Sequence, residues 1–275
     1  MATPTMTYDE NTAQTFADWS RSRRLFFDGV TMSYFGDLNG KKVVDFGCGA
    51  LDFLKCCLSK GAAFGLGIDV NEAMMKAGED QEMENLQLLV HDCFTPLPNH
   101  DYGQFDFAAC QFVLVCCDTQ EKLTIIFQNI YRLLKPGGKL CICQTSPINS
   151  VRDKEIYANA LGIHLPLKSE CQGREPILAN VSVFKPNPDG YKNDGLYSRE
   201  VLFKFQDYLW SKQALQESLL KSGFISVNAI PVAKLNLPGV PITRIQVHES
   251  LEHPAIFLGA EKPDWSKELC TLKCD

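Results

Sequence analysis

The residues with the clearest chemical potential are two glycines in the segment VVDFGCGALD, which runs from Val43 to Asp52. The apolar residues before Gly47 predict a buried strand, and the residues after Gly49 predict a helix. Gly47 permits a sharp turn and a close approach of a ligand, and the free N–H groups of the helix would point at that ligand. Two glycines also form ordinary tight turns, but the pattern is typical of a nucleotide-like site.

Two acidic residues follow the next two apolar segments. Asp69 ends the segment GLGID, and Asp92 follows LQLLVH. The first carboxylate can accept hydrogen bonds from both hydroxyls of a ribose, and the second from an exocyclic amine such as that of adenine. Taken singly, Asp69 could cap a helix, although Asn71 is the better cap, and Asp92 could be a solvated loop residue. Since the carboxyl ends of successive parallel strands share one edge of a sheet, the three features together favour one binding site.

The missing third glycine narrows the class of ligand. A dinucleotide turn has the pattern GxGxxG, but counting from Gly47 leads to Asp52, with Leu51 before it. A carboxylate there would repel a pyrophosphate lying on the helix N-terminus. S-adenosylmethionine contains adenine, ribose, a sulfonium and an amino acid but no phosphate, and it fits better. We expect Leu51 to adopt the helical conformation of a first turn, to face away from the ligand or narrow the pocket, and to modify binding without abolishing it.

Strands and helices alternate along residues 41–146, which predicts parallel βαβ units. The predicted strands are Lys41–Phe46, Gly65–Asp69, Leu86–Asp92, Phe105–Phe112 and Lys139–Thr145, and the predicted helices are Leu51–Ser59, Glu72–Met83 and Gln120–Leu134. The last helix carries an apolar stripe with spacings of three and four residues. We expect Asp118 to cap its N-terminus and Pro136-Gly137-Gly138 to end it.

The remaining regions complete a single expected domain. Residues 1–40 form an N-terminal helical cap, 41–146 the cofactor-binding core, 147–207 a cover over the substrate, 208–262 a C-terminal helix and strands, and 263–275 a tail. The segment 147–207 breaks the alternation and is too long for an ordinary connection, which indicates a functional cover. In the C-terminal part, Ser211 is expected to cap a helix at Lys212–Ser222, and strands follow near Ile225–Ile230 and Ala255–Glu261.

Composition limits the partners and the compartment. The chain has 275 residues and a formal net charge of −6, with no long run of Lys or Arg, so neither nucleic acid nor a membrane is expected as a partner. The 12 cysteines lie mostly in apolar segments and form no CxxC pair. We therefore expect buried thiols in the reducing cytoplasm and no metal site. The N-terminus does not have the pattern of a signal peptide, and a monomer or a homodimer is expected.

Five successive motifs resemble those of class I S-adenosylmethionine-dependent methyltransferases. They are VVDFGCG, GIDVNEAM, HDCF, FDFAACQFVL and LLKPGGKL, over roughly residues 40–146. A looser similarity, carried by Tyr8-Asp9 with Ala13 and by YLWS at 208–211, is to the small-molecule branch that includes toxoflavin-synthase-like enzymes. The resemblance implies a Rossmann-like α/β fold. Its seven-stranded sheet would have six parallel strands and an antiparallel last strand, with helices on both faces.

The same resemblance implies the residues of the cofactor site. Those near the methionine half of S-adenosylmethionine are Asp45, Gly47, Gly49, Gln111 and Phe112. Those near the ribose and adenine are Asp69, Val70, Met74, Asp92 and Cys93, and Tyr8 would close the site from the N-terminal segment.

The expected activity is transfer of a methyl group to N or O of a small-molecule acceptor. A hydroxyl acceptor needs a general base, and the candidates are His164, Tyr208 and Gln144, with Tyr157 and Tyr197 also considered. No pair among them has a diagnostic spacing, and each is compatible with ordinary packing in the core or on the surface. Two alternatives stay open: a protein methyltransferase, and a non-catalytic cofactor-binding protein with a degenerate glycine motif.

Overall fold

The structure is a computed structural model that describes residues 26–78, 84–98, 103–145, 163–164, 173–186, 197–231 and 255–266. Tyr8 and Tyr157, most of the predicted N-terminal cap and most of the predicted tail therefore lie outside the described residues. The described strands form one seven-stranded sheet and one three-stranded sheet.

In chain order the elements are α1 (residues 26–35), β1 (Lys42–Phe46), α2 (Asp52–Ser59), β2 (Phe64–Asp69), α3 (Glu72–Gly78), β3 (Leu86–Val90), β4 (Phe105–Gln111), a 3₁₀ turn (Leu114–Cys116), α4 (Gln120–Leu133), β5 (Leu134–Thr145), β6 (Ile163–His164), β7 (Ile177–Pro186), β8 (Tyr197–Leu209), α5 (Lys212–Lys221), β9 (Ile225–Ala229) and β10 (Ala255–Glu261). From β1 to β5 the elements follow each other in the order that the alternating pattern predicts, whereas strands β6, β7 and β8 were not predicted.

The large sheet has the order β3-β2-β1-β4-β5-β10-β9. Strands β1 to β5 pair in parallel, and β10 runs antiparallel to both of its neighbours. The predicted seven-stranded sheet with an antiparallel last strand is therefore confirmed. The strand order reverses between β1 and β4, and in open α/β sheets a ligand lies in the crevice at the carboxyl ends of the strands at such a point.

Helix α4 differs from its predicted ends in two details. Its N-cap is Thr119, whose extended backbone brings its hydroxyl within 3.3 Å of the amide of Lys122, whereas Asp118 was expected there. Asp118 instead forms an ion pair of 2.8 Å with the ammonium of Lys122. At the other end the chain passes directly from Leu133 into β5, so that Pro136-Gly137-Gly138 lies within that strand.

Two apolar clusters cover the faces of the large sheet. The first, called the α1-side cluster, joins α1 and α2 to the sheet through residues such as Phe27, Phe53 and Phe257. The second, called the α4-side cluster, joins α4 and α5 to the opposite face through residues such as Phe127 and Leu215. Helices on both faces leave the carboxyl edge of the sheet as the place where a site can form.

The small sheet comes from the region predicted to be a cover. Strands β6, β7 and β8 pair antiparallel in that order, and their inner face buries Ala179, Val181 and Leu209 in the α1-side cluster. Strand β8 runs without a break through residue 207, where the cover was expected to end. The predicted cap of α5 is confirmed, since the hydroxyl of Ser211 accepts a hydrogen bond of 3.1 Å from the amide of Ala214. Among the described helices, none has the length and apolar character needed to cross a bilayer.

Candidate active site

The glycine turn lies between β1 and α2 and is tied to β2. Gly47 has φ 71, and its amide donates a hydrogen bond of 2.7 Å to the carbonyl of Ile68. A side chain at Gly47 would collide with Val113, which follows β4. Because both the left-handed backbone and the lack of space demand glycine here, the turn brings bare backbone to the crevice between β1 and β4.

Asp69 connects this turn to the end of β2. Its Oδ2 accepts a hydrogen bond of 2.9 Å from the amide of Gly49, and its Oδ1 accepts one of 2.9 Å from the amide of Asn71. Asn71 in turn caps α3, since its Oδ1 accepts from the amide of Met74 at 3.1 Å. The carboxylate is thus held in place by two backbone amides. A carboxylate oxygen can accept more than one hydrogen bond, and a ribose hydroxyl is a suitable donor.

Leu51 does not adopt the expected helical conformation. It is the N-cap of α2 with φ 64 and ψ 5, which is the left-handed region that glycine favours. Its side chain is completely buried in the α1-side cluster, next to residues such as Phe53 and Leu54. The leucine therefore keeps the backbone turn that a glycine would make and faces away from the crevice.

The loop after β3 holds Asp92 and is fixed by a residue that the sequence analysis missed. Asp92 Oδ1 accepts a hydrogen bond of 2.9 Å from the amide of Phe94. The buried side chain of Asn129 on α4 donates to the carbonyls of Cys93 at 3.1 Å and Thr95 at 2.7 Å, and accepts from the amide of Leu97 at 3.2 Å. An asparagine within the apolar stripe of α4 was the signal in the sequence that marked it.

The adenine side of the crevice combines exposed and buried residues. Val70 is 58% exposed, and an apolar side chain left open beside Asp69 suits contact with a base. Met74 and Cys93 are buried, at 4% and 5% exposure. Burial, followed by the charge of Asp69, raises the pKa of the Cys93 thiol well above its usual range, so that it stays protonated.

The methionine side lies at the ends of β1 and β4. Asp45 is buried at the end of β1. Phe112 has φ 57, turns the chain sharply after β4, and packs its ring edge-on against Phe27 with a centroid distance of 4.7 Å. The amide Nε2 of Gln111 is buried and has no hydrogen-bond partner within the described part of the chain. A buried donor without a partner is unusual, and a bound ligand would complete its hydrogen bonding.

Comparisons with known proteins agree with this geometry. Residues 44–142 match the family described as "Methyltransferase domain". A demethylmenaquinone methyltransferase from Staphylococcus epidermidis is 30% identical over 199 residues, which covers 70% of this chain and 71% of that protein. The chain belongs to the S-adenosylmethionine-dependent methyltransferases.

Two further comparisons place the methyltransferase among its relatives. A demethylmenaquinone methyltransferase from a Geobacillus species is 27% identical over 151 residues, which covers 53% of this chain and 62% of that protein. This chain therefore matches less than two thirds of that relative's length. The crystal structure of a methyltransferase from Mesorhizobium loti has a TM-score of 0.51 with 18% identity, covers 90% of this chain and 98% of that chain, and shows the shared fold.

The described residues of the methyltransferase fit its cofactor, S-adenosylmethionine. Gly47 and Gly49 present backbone without side chains, the carboxylate of Asp69 can accept hydrogen bonds, and the buried Nε2 of Gln111 has no partner among the described residues. These groups line up along the carboxyl ends of β1, β2 and β4. The role of each residue toward the cofactor stays a prediction.

The three predicted candidates for a general base lie in different places. Gln144 is fully buried at the end of β5, and its Nε2 donates a hydrogen bond of 3.0 Å to the carbonyl of Trp210. Tyr208 lies on β8 opposite Leu178, on the outer face of the small sheet. His164 lies in β6 opposite Ser182, and its side chain is outside the described atoms. The structure does not bring these three together, and their catalytic roles stay predictions.

The methyltransferase has a buried acid near the end of β8 that the sequence analysis overlooked. Asp207 on β8 is 6% exposed and lies opposite Ala179 of β7. Burial raises the pKa of its carboxyl to about 8. The signal in the sequence was an aspartate at an alternate position of β8, between Phe205 and Leu209, where the inner face is otherwise apolar.

Proposed function

We propose that the protein transfers a methyl group from S-adenosylmethionine to N or O of a small-molecule acceptor. The observation that carries the proposal is the small sheet, which is fixed over the carboxyl ends of β4 and β5. The cofactor supplies a methyl group on a sulfonium, which is already activated, so the protein mainly has to position the acceptor and exclude water.

Buried hydrogen bonds attach the small sheet to the edge of the large one. Trp210, directly after β8, is fully buried, and its Nε1 donates a hydrogen bond of 2.9 Å to the carbonyl of Cys117. The carbonyl of Trp210 accepts the bond from Gln144 at the end of β5. Because both the indole and the backbone carbonyl of Trp210 form hydrogen bonds, the end of β8 is held against the segment that follows β4 and against the end of β5.

The inner face of this cover is apolar. Ala179, Val181 and Leu209 are buried in the α1-side cluster, and Phe112 and Phe205 pack against it. A crevice closed by apolar side chains excludes water and suits a compact organic molecule better than an extended polypeptide or nucleic acid. The names of the two relatives, demethylmenaquinone methyltransferases, also point to small-molecule acceptors.

The test is a screen of small amines, phenols and heterocycles with S-adenosylmethionine, in which S-adenosylhomocysteine and methylated product are both detected by mass spectrometry. We expect turnover of at least one compound, and a variant with Asp69→Ala should lose it together with cofactor binding. Turnover of a protein substrate alone would establish the protein methyltransferase alternative. Failure of both S-adenosylmethionine and S-adenosylhomocysteine to bind in calorimetry would contradict the enzyme proposal altogether.

The proposal includes the setting of the protein. Its partners would be small molecules and neither nucleic acid nor membranes, it would act as a monomer or homodimer, and it would work in the cytoplasm. The net charge of −6 supports the first point, and the described cysteines, which are all free thiols, support a reducing compartment. Light scattering of the purified protein measures the oligomeric state directly.

A further inference from the structure

One carboxylate interrupts the apolar inner face of the small sheet. Successive residues of a strand point to opposite faces, so Phe205, Asp207 and Leu209 lie on one face of β8. Phe205 and Leu209 pack in the α1-side cluster, and Asp207 lies between them at 6% exposure. Within the described ranges, burial is the cause that shifts the pKa of this carboxyl, with no hydrogen bond or opposite charge beside it. A buried acid whose charge no described residue compensates is costly for the fold, which suggests a role in function.

The position of Asp207 connects it to the cofactor crevice. It precedes by three residues Trp210, which is anchored to Cys117 and Gln144 at the ends of β4 and β5. Desolvation and then the charges of Asp207, Asp69 and Asp92 raise the pKa of the Cys116 thiol in the 3₁₀ turn. The thiol of Cys116 is therefore close enough to Asp207, Asp69 and Asp92 for the charges of all three to act on it.

A second polar group without a partner lies at the same edge. The Nε2 atom of Gln111 is buried at the end of β4 without a described partner. The residue after it, Phe112, packs against the same α1-side cluster as Phe205 and Leu209, which flank Asp207. Gln111 thus adds a buried hydrogen-bond donor at the end of β4, the strand that leads into the 3₁₀ turn with Cys116. A few polar groups among apolar side chains are expected where a small polar group binds.

We propose that Asp207 is the general base of the methyl transfer, and that the acceptor is a small apolar molecule with a protic nucleophile, either a hydroxyl or an amine. This inference rests on the proposed function. In the step, the O–H or N–H proton of the acceptor passes to the carboxylate of Asp207. A lone pair of that O or N forms the new bond to the methyl carbon, and the electron pair of the broken O–H or N–H bond stays on the same atom. S-adenosylhomocysteine leaves with the electron pair of the broken carbon–sulfur bond.

The surroundings of Asp207 suit this role. Burial raises its pKa to about 8, close to the value at which a carboxylate is a useful base near neutral pH. Among the described groups, the charge of Asp207 acts on the thiol of Cys116. Lys204 and Tyr208 lie on the outer face of β8, away from the carboxylate. From α1, Asp28 acts on other thiols, those of cysteines 56, 57 and 143. A sulfonium bound nearby would favour the charged form of Asp207 and strengthen it as an acceptor of protons.

The experiment compares Asp207→Asn with the wild-type enzyme, using an acceptor found in the screen. We expect kcat to fall by about 100-fold or more, because general base catalysis contributes on that scale, while the affinity for S-adenosylmethionine in calorimetry stays within about twofold. The wild-type rate should rise with pH, reach half of its maximum around pH 8 and level off above that, and this rise should be absent in the variant. The matched control is Glu200→Gln, the same chemical change at an exposed position of β8, which should keep the wild-type rate and pH profile.

Different results separate the possible failures. If Asp207→Asn keeps kcat within about threefold of the wild-type value, or keeps its pH profile, Asp207 is not the base. If the wild type methylates no small molecule, the proposed function fails and the role of Asp207 fails with it. Asp207→Glu guards against a folding defect in the amide variant, since it retains a carboxylate: it should be slower than the wild type yet keep a rise of rate with pH, and a flat profile would contradict the proposal.

Discussion

The backbone of Leu51 holds a left-handed conformation, which costs an L-residue about 1–2 kcal/mol, while its side chain is fully buried. These two effects oppose each other, and burial of a leucine is the larger, since Leu→Ala in a core costs about 2–5 kcal/mol. The leucine therefore stabilises the protein despite its strained backbone. The turn keeps its shape without the glycine, which leaves the cofactor crevice intact.

This balance predicts an unusual order of stability. Leu51→Ala loses the buried side chain and keeps the strain, whereas Leu51→Gly loses the side chain and relieves the strain. We expect the glycine variant to be more stable than the alanine variant by about 1 kcal/mol in urea unfolding, with cofactor affinity unchanged in both. At Leu54, which is buried within α2, the order should be reversed, because glycine is worse than alanine inside a helix. Equal stability of the two Leu51 variants would show that the strain is absent.

Asp69 offers a second prediction at the scale of the residue. Asn in its place keeps the size but loses the charge and one acceptor oxygen, so it cannot serve the amides of Gly49 and Asn71 and two ribose hydroxyls together. We expect Asp69→Asn to weaken binding of S-adenosylmethionine about tenfold or more in calorimetry, since hydrogen bonds to a charged group contribute about 1.5–3 kcal/mol. Glu72→Gln, an exposed change at the start of α3, is the control and should leave the affinity unchanged.

At the scale of the element, the loop after β3 depends on α4. Asn129→Ala would remove three hydrogen bonds and take this partner from the buried carbonyl of Cys93 and the buried amide of Leu97, which predicts a loss of about 2–4 kcal/mol in the free energy of unfolding. Hydrogen exchange should become faster in residues 92–97, and cofactor affinity should fall because Asp92 is less well positioned. The exposed Asn228 on β9 is the control, and its change to Ala should alter stability by no more than about 0.5 kcal/mol. Unchanged exchange in the loop would refute this role of Asn129.

The elements differ in how well the sequence predicts them. Helix α4 was predictable because Leu123, Ile126, Phe127 and Ile130 repeat with helical spacing and all contact the sheet. The small sheet was missed, because apolar residues also occur on the outer face of β8 and a charged residue, Asp207, lies on its inner face. The alternation of apolar and polar residues predicts a strand only where the two faces of the strand differ in polarity, and those of β8 do not. The pairing of β8 with β7 is in addition a contact between distant residues, which a local pattern does not show.

At the scale of the whole molecule, the two halves of the site differ in how far the sequence predicts them, and the reason is again the distance in sequence between contacting residues. The cofactor half follows from the glycine turn and the strand ends, because each residue there belongs to a local motif. The proposed acceptor half depends on contacts such as that of Trp210 with Cys117, which are 93 residues apart in the chain. The alternate position of Asp207 in an apolar strand marks it as a buried acid, but only the folded arrangement shows that β8 lies at the carboxyl ends of β4 and β5.

Asp207 also links the stability of the whole protein to pH. The pKa of its carboxyl is raised from 3.8 to about 8 by burial, so between these values the folded protein holds a proton that the unfolded chain releases. Its contribution to stability is therefore fully present below about pH 4 and is lost as the pH rises to about 8, with a limit of about 1.4 kcal/mol per pH unit.

The measurement is the free energy of unfolding of the wild type minus that of Asp207→Asn, from urea titrations between pH 5 and 9. The amide has no proton to lose in this range, so subtraction removes the effects of all other groups, provided that they titrate alike in both proteins. We expect the difference to fall with pH up to about pH 8 and then to become constant. The difference for Glu200→Gln should stay flat, since that position is exposed. A flat difference for Asp207→Asn as well would mean that this carboxyl titrates as it does in water, and that the small sheet does not keep water from it.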